Sequence, residues 1–200
     1  MMLEHQNFNK IDIYAYQSAK KGEDCNGDVY FVKETDEYFL CAVADGLGSG
    51  RDANASSEAA ISVIKDHHDE DVKSLMERAN DALHLKRGAV LAIFKIYYKE
   101  QELEYSCVGN IRFMLRTEAG KVTYPMPTMG FLSGRPQQVT VQRFPFEKGT
   151  SFLIHSDGLE IYSIKKYLWD VRSIRDTYQS IKEMIQNPKD DITFLIGKFG

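Results

Sequence analysis

Segments with strand character occur in blocks along this chain and do not alternate one by one with helical segments. Nine of them are rich in aromatic and β-branched residues, with Gly, Asn, Asp or Pro between them: residues 11–17, 28–33, 38–44, 89–99, 103–109, 111–117, 139–144, 151–155 and 192–199. A parallel sheet requires a helix between successive strands, so this order favours an α+β fold with antiparallel sheets. Nine strands suit two sheets packed together, with helices on their outer faces.

Four segments have helical character, and they cover residues 52–67, 71–85, 158–168 and 170–186. The second and fourth carry apolar residues at spacings of three or four, from Val72 to Leu83 and from Val171 to Ile185. The first is rich in Ala and Ser, and we expect its buried face to carry Ala55, Ala59, Ser62 and Val63.

The composition fits one globular domain, which we expect to span residues 1–200. A net charge of −4 gives no reason to expect nucleic acid or an anionic membrane as partner. No segment resembles a signal peptide or a membrane span. Cys25, Cys41 and Cys107 are widely spaced and form no CxxC pair, so we interpret them as reduced thiols of a cytoplasmic protein.

An Asp-Gly pair follows an apolar strand at two places in the sequence. Residues 43–50, Val-Ala-Asp-Gly-Leu-Gly-Ser-Gly, carry a strand into Asp45 and then through three glycines before a helix. In residues 152–159, an apolar strand likewise leads into Asp157 and Gly158, and a helix is again expected after them. Glycine lets the backbone turn tightly and approach a ligand closely. Both Asp side chains are therefore expected at strand tips.

Two further acidic positions open strands. Asp28 follows Asn26-Gly27, and Asp190 with Asp191 precedes the last strand. Oxygen ligands with retained water suit Mg²⁺ or Mn²⁺ better than zinc. Two such ions about 4 Å apart activate a water and clamp a phosphoryl oxygen. The alternative is that each Asp-Gly pair only forms a turn, but four acidic sites at the ends of separate strands favour a metal site.

Other phosphatase chemistries do not fit the sequence. A cysteine phosphatase needs Arg six residues after its Cys, where this chain has Phe31, Leu47 and Phe113. An Asp-x-Asp-x-Thr run, required for an aspartyl-phosphate enzyme, is missing from the sequence. The P-loop Gly-x-x-x-x-Gly-Lys-Ser/Thr is missing as well.

Five motifs occur in the order typical of one phosphatase family. They are Gly27-Asp28, residues 43–48, Ser-Cys-Val-Gly-Asn at 106–110, Ser-Asp-Gly at 156–158 and Asp-Asp-Ile-Thr at 190–193. This ordered set resembles the PPM family of metal-dependent protein serine/threonine phosphatases. Residues 41–57 and Lys86-Arg87-Gly88 are most similar to its small stressosome members.

The resemblance implies an αββα sandwich with two Mn²⁺ or Mg²⁺ ions. It implies phosphoserine or phosphothreonine on stressosome scaffold proteins as substrate, with feedback regulation of the general stress response as the role. No nucleic acid or membrane partner is expected, and we expect a monomer.

The family pattern also implies residue roles. Asp45 would bridge both metals, the Gly46 carbonyl would bind one, and Asp157 and Asp190 would hold the other. Asp28 would act mainly through bound water. Asp45 and Asp157 are the expected catalytic residues, and the nucleophile would be a water bridging the ions. Asp191 stands where the family usually has Asn, so we prefer Asp190 as ligand and expect Asp191 either beside the ligands or as an alternate to Asp190.

Three departures from the family pattern affect the expected chemistry. Leu47 replaces a histidine that protonates the leaving group in some members, so either a slow enzyme or water as the acid is expected. Asn110 stands where many members have an Asp that binds a third metal. The phosphate-binding Arg has no clear counterpart, and Lys20, Lys21, Arg51 and Arg87 remain alternatives.

Two other interpretations come from different classes of protein. A pseudophosphatase would bind a partner without chemistry, and loss of metal binding would be its signature. An ATP-binding fold of the histidine-kinase type is indicated only by residues 45–48, and it requires an upstream helix where this chain has strands. His155 is expected to face the same side as Asp157, but an oxygen-rich metal site does not need it.

Overall fold

Eleven strands form two antiparallel sheets in the computed structural model, which describes residues 5–160 and 173–200. The first sheet has the order β1 (His5–Asn7), β2 (Ile11–Ser18), β11 (Ile192–Phe199), β10 (Ser151–His155), β7 (Arg112–Arg116) and β8 (Val122–Thr123). The second has the order β3 (Asp28–Glu34), β4 (Tyr38–Gly46), β5 (Ala89–Tyr97), β6 (Glu102–Val108) and β9 (Gln142–Pro145). Every strand pair is antiparallel, as the block order of the sequence predicts.

Three helices of the described chain cover the outer faces of the sheets. Helices α1 (Gly50–Asp66) and α2 (Val72–Ala82) pack on the second sheet, and α3 (Ile174–Met184) packs on the first. The expected αββα sandwich is confirmed. The helix predicted at 158–168 and the start of the one predicted at 170–186 fall largely outside the described residues. No described helix has the length and apolar content needed to cross a bilayer.

Strand β4 shows how the sequence produces these layers. Phe39, Cys41 and Val43 point into the core between the sheets. The intervening residues, from Tyr38 to Ala44, pack against α1 and α2. Because side chains alternate along a strand, a strand buried on both faces is apolar at every position.

Aromatic rings join the two sheets. Phe94 on β5 stacks on Phe113 of β7 with ring centroids 4.6 Å apart and meets Phe152 of β10 edge-on at 4.9 Å. Phe39 on β4 contacts Phe199 of β11 at 5.5 Å. Such pairs add to the stabilisation from burial, and they fix the distance between the sheets.

The predicted buried face of the first helix is wrong. Ala53, Ala60 and Ile64 are buried, whereas Ala55 and Ser62 are exposed. The helix is rich in small residues on every side, so apolar spacing gave little contrast between its faces. The strand predicted at 139–144 is also displaced, because β9 begins only at Gln142.

A buried lysine, Lys95, binds the backbone of the connection between α1 and α2. The Lys95 ammonium donates to the carbonyls of His68, Asp69 and Glu70 at 3.0, 3.0 and 2.7 Å. It also lies 3.9 Å from the ring centroid of Tyr38. These contacts satisfy carbonyls that follow the end of α1, where helical hydrogen bonding stops.

Replacing this lysine should weaken the fold. In Lys95→Met the three carbonyls lose their donor, and we expect the free energy of unfolding to fall by about 2–3 kcal/mol. Urea unfolding followed by circular dichroism measures the change. Lys99→Met, at an exposed position of the following turn, is the control, and equal midpoints for the two variants would contradict the assigned role.

Candidate metal centre

Asp28 and Asp45 are direct cross-strand partners on β3 and β4. Partners in an antiparallel pair point to the same face of the sheet. Asp45 continues the row of Phe39, Cys41 and Val43, so both carboxylates face the space between the sheets. They lie at one end of the sandwich, where β4 gives way to the glycine loop.

The other acidic residues come from adjacent strands of the first sheet. Asp157 lies in the turn after β10, and Asp190 and Asp191 precede β11. Two hydrogen bonds of 2.9 Å between Ser156 and Thr193 hold these ends together. The structure therefore brings all the predicted acidic residues to one end of the sandwich.

Two glycines permit the close approach of neighbouring elements at this end. A Cβ on Gly46 would lie 2.0 Å from the carbonyl oxygen of Ala53 on α1. A Cβ on Gly158 would lie 2.0 Å from the carbonyl oxygen of Asp191. Only glycine fits at either position, so each Asp-Gly pair meets a packing requirement as well as a turn preference.

The charged forms of these carboxylates are disfavoured, because the side chains are buried and repel one another. Burial, followed by the charges of Asp28, Asp157, Asp190 and Asp191, raises the pKa of Asp45 to about 8. Burial also raises the pKa of Asp28 to about 6, although the nearby hydroxyls of Ser156 and Thr193 oppose the rise. The pKa of Asp157 is raised by burial and by Asp190. A bound cation would reverse these shifts by compensating the negative charge.

Asp28 gives the strongest indication of a missing partner. Its side chain is 2% exposed. The Ser156 and Thr193 hydroxyls lie close enough to oppose the rise in its pKa, but neither carboxylate oxygen has a described residue in hydrogen-bonding geometry. A buried carboxylate without a partner is costly unless a cation or water satisfies it. The oxygen-only donor set fits Mg²⁺ or Mn²⁺.

The acidic side chains surround a space and do not converge on one point. Within residues 5–160 and 173–200, no group of three or more His, Cys, Asp or Glu side chains forms a ready-made metal cage. Like charges move apart, and Mg²⁺ usually keeps several water ligands, so gaps between carboxylates are compatible with such a site.

Asp190 and Asp191 have different environments. Asp191 is buried, and its Oδ1 accepts a 2.9 Å hydrogen bond from the backbone N–H of Lys20. Asp190 is exposed and accepts from the N–H of Asp191 at 2.9 Å. Asp190 is therefore free to face solvent at the site, and Asp191 holds the Lys20 backbone beside it.

Two residues that depart from the family pattern, Asn110 and Leu47, form hydrogen bonds near the site. Asn110 donates from Nδ2 to Oδ2 of Asp157 at 2.7 Å, and this bond partly opposes the rise that burial causes in the pKa of Asp157. Leu47 donates its backbone N–H to the Gly88 carbonyl at 3.0 Å, and its apolar side chain lies against Gly88. His155, which is buried, bonds through Nδ1 to the Ser156 carbonyl at 2.8 Å.

The candidate phosphate-binding cations occupy different places. Lys20 and Lys21 lie on the loop that contacts Asp191 and Pro188, and Arg51 is exposed at the start of α1. Arg87 forms a 2.6 Å ion pair with Asp52 beside the glycine loop.

Sequence reasoning missed one further cation. Lys189 lines a cavity of about 350 Å³ together with Asp157, Asp190 and Met184. Its position next to Asp190 in the sequence was the only available signal.

Comparisons with known proteins agree with this geometry. Residues 35–200 match the family model described as Stage II sporulation protein E (SpoIIE). The chain is 39% identical over 197 residues to phosphoserine phosphatase RsbX of Bacillus subtilis (strain 168). That alignment covers 98% of this chain and 99% of the relative.

Solved structures show the same architecture. RsbX in complex with magnesium superposes with a TM-score of 0.94 at 39% identity over 100% of both chains. A chain from work on the bacterial stressosome as a modular system gives 0.85 at 26% identity, over 95% of this chain and 100% of that one. The catalytic domain of PstP with two manganese ions shares the fold, with a TM-score of 0.72 at 15% identity over 95% and 98% of the two chains.

The raised pKa values predict how the metal-free protein responds to pH. A carboxyl with a raised folded-state pKa binds its proton more tightly when folded, so its contribution to stability is lost as pH rises through that pKa. Stability of the metal-free protein should therefore fall between pH 4 and 8, through the pKa values of about 6 and about 8 at Asp28 and Asp45.

Asp45→Asn removes the charge and should stabilise the metal-free protein by about 1–3 kcal/mol at pH 8. Thermal unfolding in chelator across this pH range measures both effects. Adding Mn²⁺ should raise the melting temperature of the wild type more than that of the variant. A variant less stable than wild type at pH 8 in chelator would contradict the electrostatic interpretation.

Proposed function

The chain belongs to the SpoIIE family of PP2C-type phosphatases, and on that premise we propose that it is a metal-dependent phosphatase of phosphoserine or phosphothreonine in proteins. Membership confirms the resemblance to the PPM family predicted from the ordered motifs. The observation that carries the proposal is the buried Asp28 carboxylate, without a hydrogen-bond partner in the described chain, beside Asp45.

We assign the metal ligands by combining the family pattern with the observed positions. Asp45 would contact both ions, and the Gly46 carbonyl would contact one. Asp157 and Asp190 would hold the other ion, and Asp28 would act through water. The positions support this assignment, because β3 and β4 supply one side of the cleft and the ends of β10 and β11 supply the other. Mg²⁺ and Mn²⁺ are the cations that suit these ligands.

Bound cations supply Lewis-acid activation of water and neutralise charge on the phosphoryl group. Asn110 orients Asp157 through its hydrogen bond, and Asp191 holds the Lys20 loop against the site. Lys189, in the cavity shared with Asp157 and Asp190, is placed to attract the phosphate dianion. The apolar Leu47 offers no proton, so the leaving serine alkoxide takes its proton from water.

The substrate class follows from the relatives. RsbX is a phosphoserine phosphatase, and a second similar chain comes from work on the stressosome. We infer that this protein dephosphorylates stressosome-type scaffold proteins and thereby resets the general stress response. We also propose that residues 1–200 work as one phosphatase domain, as a monomer in the cytoplasm, without nucleic acid or membrane partners.

Metal-dependent release of phosphate tests the activity. With p-nitrophenyl phosphate and a serine-phosphorylated stressosome scaffold protein, the wild type should need Mn²⁺ or Mg²⁺. Asp45→Asn should lower kcat at least about 100-fold, because it removes the carboxylate that we assign to both ions. Asp66→Asn, an exposed change at the end of α1, is the matched control. A wild type that binds metal yet hydrolyses neither substrate would indicate a pseudophosphatase.

Leu47 gives a second test, based on the leaving group. Leu47→His introduces a proton donor beside the glycine loop and should raise kcat on the phosphoserine protein by up to about 10-fold. The aryl phosphate should respond little, because p-nitrophenolate leaves without a proton. Leu47→Gln, which is polar but not acidic, is the control. An equal gain on both substrates would show that the change acts on binding or stability instead.

A further inference from the structure

Leu85 combines an exposed apolar side chain with a strained backbone conformation. Its side chain is 92% exposed, and its backbone has φ of +62°, in the left-handed region that favours glycine. It lies two residues beyond Leu83, the C-cap of α2. A leucine here exposes apolar surface and strains the backbone, so its side chain is better explained by contact with another molecule.

Four more exposed large apolar side chains lie on the segment that follows β8: Tyr124, Met126, Met129 and Phe131. Met129 is 90% exposed and Phe131 is 46% exposed. Backbone hydrogen bonds tie this segment to the site end of the second sheet, from Thr128 to Cys107 at 2.8 Å and between Leu132 and Ala89 at 2.8 and 3.0 Å. The segment is therefore a fixed part of the rim.

The same segment is joined to the end of α2. The Asn80 side chain accepts hydrogen bonds from the N–H groups of Ser133 and Gly134 at 3.1 and 3.2 Å. A Cβ on Gly134 would lie 2.6 Å from the Cα of His84. Leu85 and Phe131 therefore belong to neighbouring parts of one surface, which we call the apolar rim (Leu85, Met129 and Phe131).

The apolar rim is continuous with the metal centre. A Cβ on Gly88 would lie 3.0 Å from the Phe131 ring and 3.3 Å from the Leu47 side chain. Leu47 directly follows Gly46, and Ala89 pairs with Gly46 across β4 and β5. The rim is therefore linked to the strand end that carries Asp45 through Phe131, Gly88 and Leu47.

We propose that the apolar rim docks the phosphoprotein substrate, through apolar side chains that flank the phosphorylated serine. The inference rests on the proposed function and names what the same site recognises beyond phosphate. Lys86 directly follows Leu85, Arg135 directly follows Gly134, and both side chains are exposed, so the partner surface should carry acidic residues around its apolar patch. A second copy fits less well, because a dimer through this rim would cover the entrance to its own cleft.

Leu85→Gly separates docking from structure. Glycine relieves the backbone strain, so the melting temperature should stay constant or rise, while the contact with substrate is lost. Against a serine-phosphorylated stressosome scaffold protein, KM should rise about 10-fold, as for an interface hot spot. Relative to p-nitrophenyl phosphate, kcat/KM on the protein should fall by the same factor. Met129→Ser should act in the same direction.

Gln101→Gly is the matched control, since Gln101 is also exposed with a positive φ of 51° but lies in the turn at the far end of β5. Equal kinetics for the Leu85 and Gln101 variants on the phosphoprotein would overturn the docking proposal and leave the phosphatase intact. A wild type inactive on both substrates would instead overturn the proposed function. Concentration-dependent dimerisation that Leu85→Gly abolishes would assign the rim to a second copy.

Discussion

The mutual repulsion of carboxylates at one end of the sandwich is the constraint on which the rest of the structure depends. Asp28 and Asp45 are held opposite each other by the β3–β4 register, and burial raises the pKa of both. A flexible chain would separate them or turn them to solvent. The frame that prevents this is apolar on both faces of the central strands and is joined by aromatic rings between the sheets.

The frame is tied most tightly next to the acidic residues. On α1, Ser57 donates to the Gly27 carbonyl at 2.6 Å and Asn54 donates to the Asn26 carbonyl at 2.8 Å. These bonds fasten the helix to the residues immediately before Asp28. Together with the close approach at Gly46, they keep the backbone of the site fixed independently of a ligand. Such support lets a site hold charges at separations that they would not adopt alone.

Much of this could be predicted from the sequence, because the signals were local. Apolar runs ending in Asp-Gly located Asp45 and Asp157, and the block order of strands indicated antiparallel sheets. The buried face of α1 could not be predicted, since its Ala and Ser residues give weak contrast. The bond from Asn110 to Asp157 and the contacts of the buried Lys95 join segments far apart in sequence. The roles of the individual acids stay predictions, because repulsion and water govern their final geometry.

Leu47, Asn110 and the exposed Leu85 are accounted for by one physical argument. Leu47 removes a proton donor from the cleft, and Asn110 replaces a negative charge by a neutral donor to Asp157. The first change leaves the cleft with less chemistry of its own, and the second leaves it with less negative charge towards a phosphate dianion. Selectivity then has to come from contacts outside the cleft, where apolar surface contributes binding free energy in proportion to the area removed from water. A strained, exposed leucine beside such a cleft is consistent with recognition that depends on the surface around the phosphoserine.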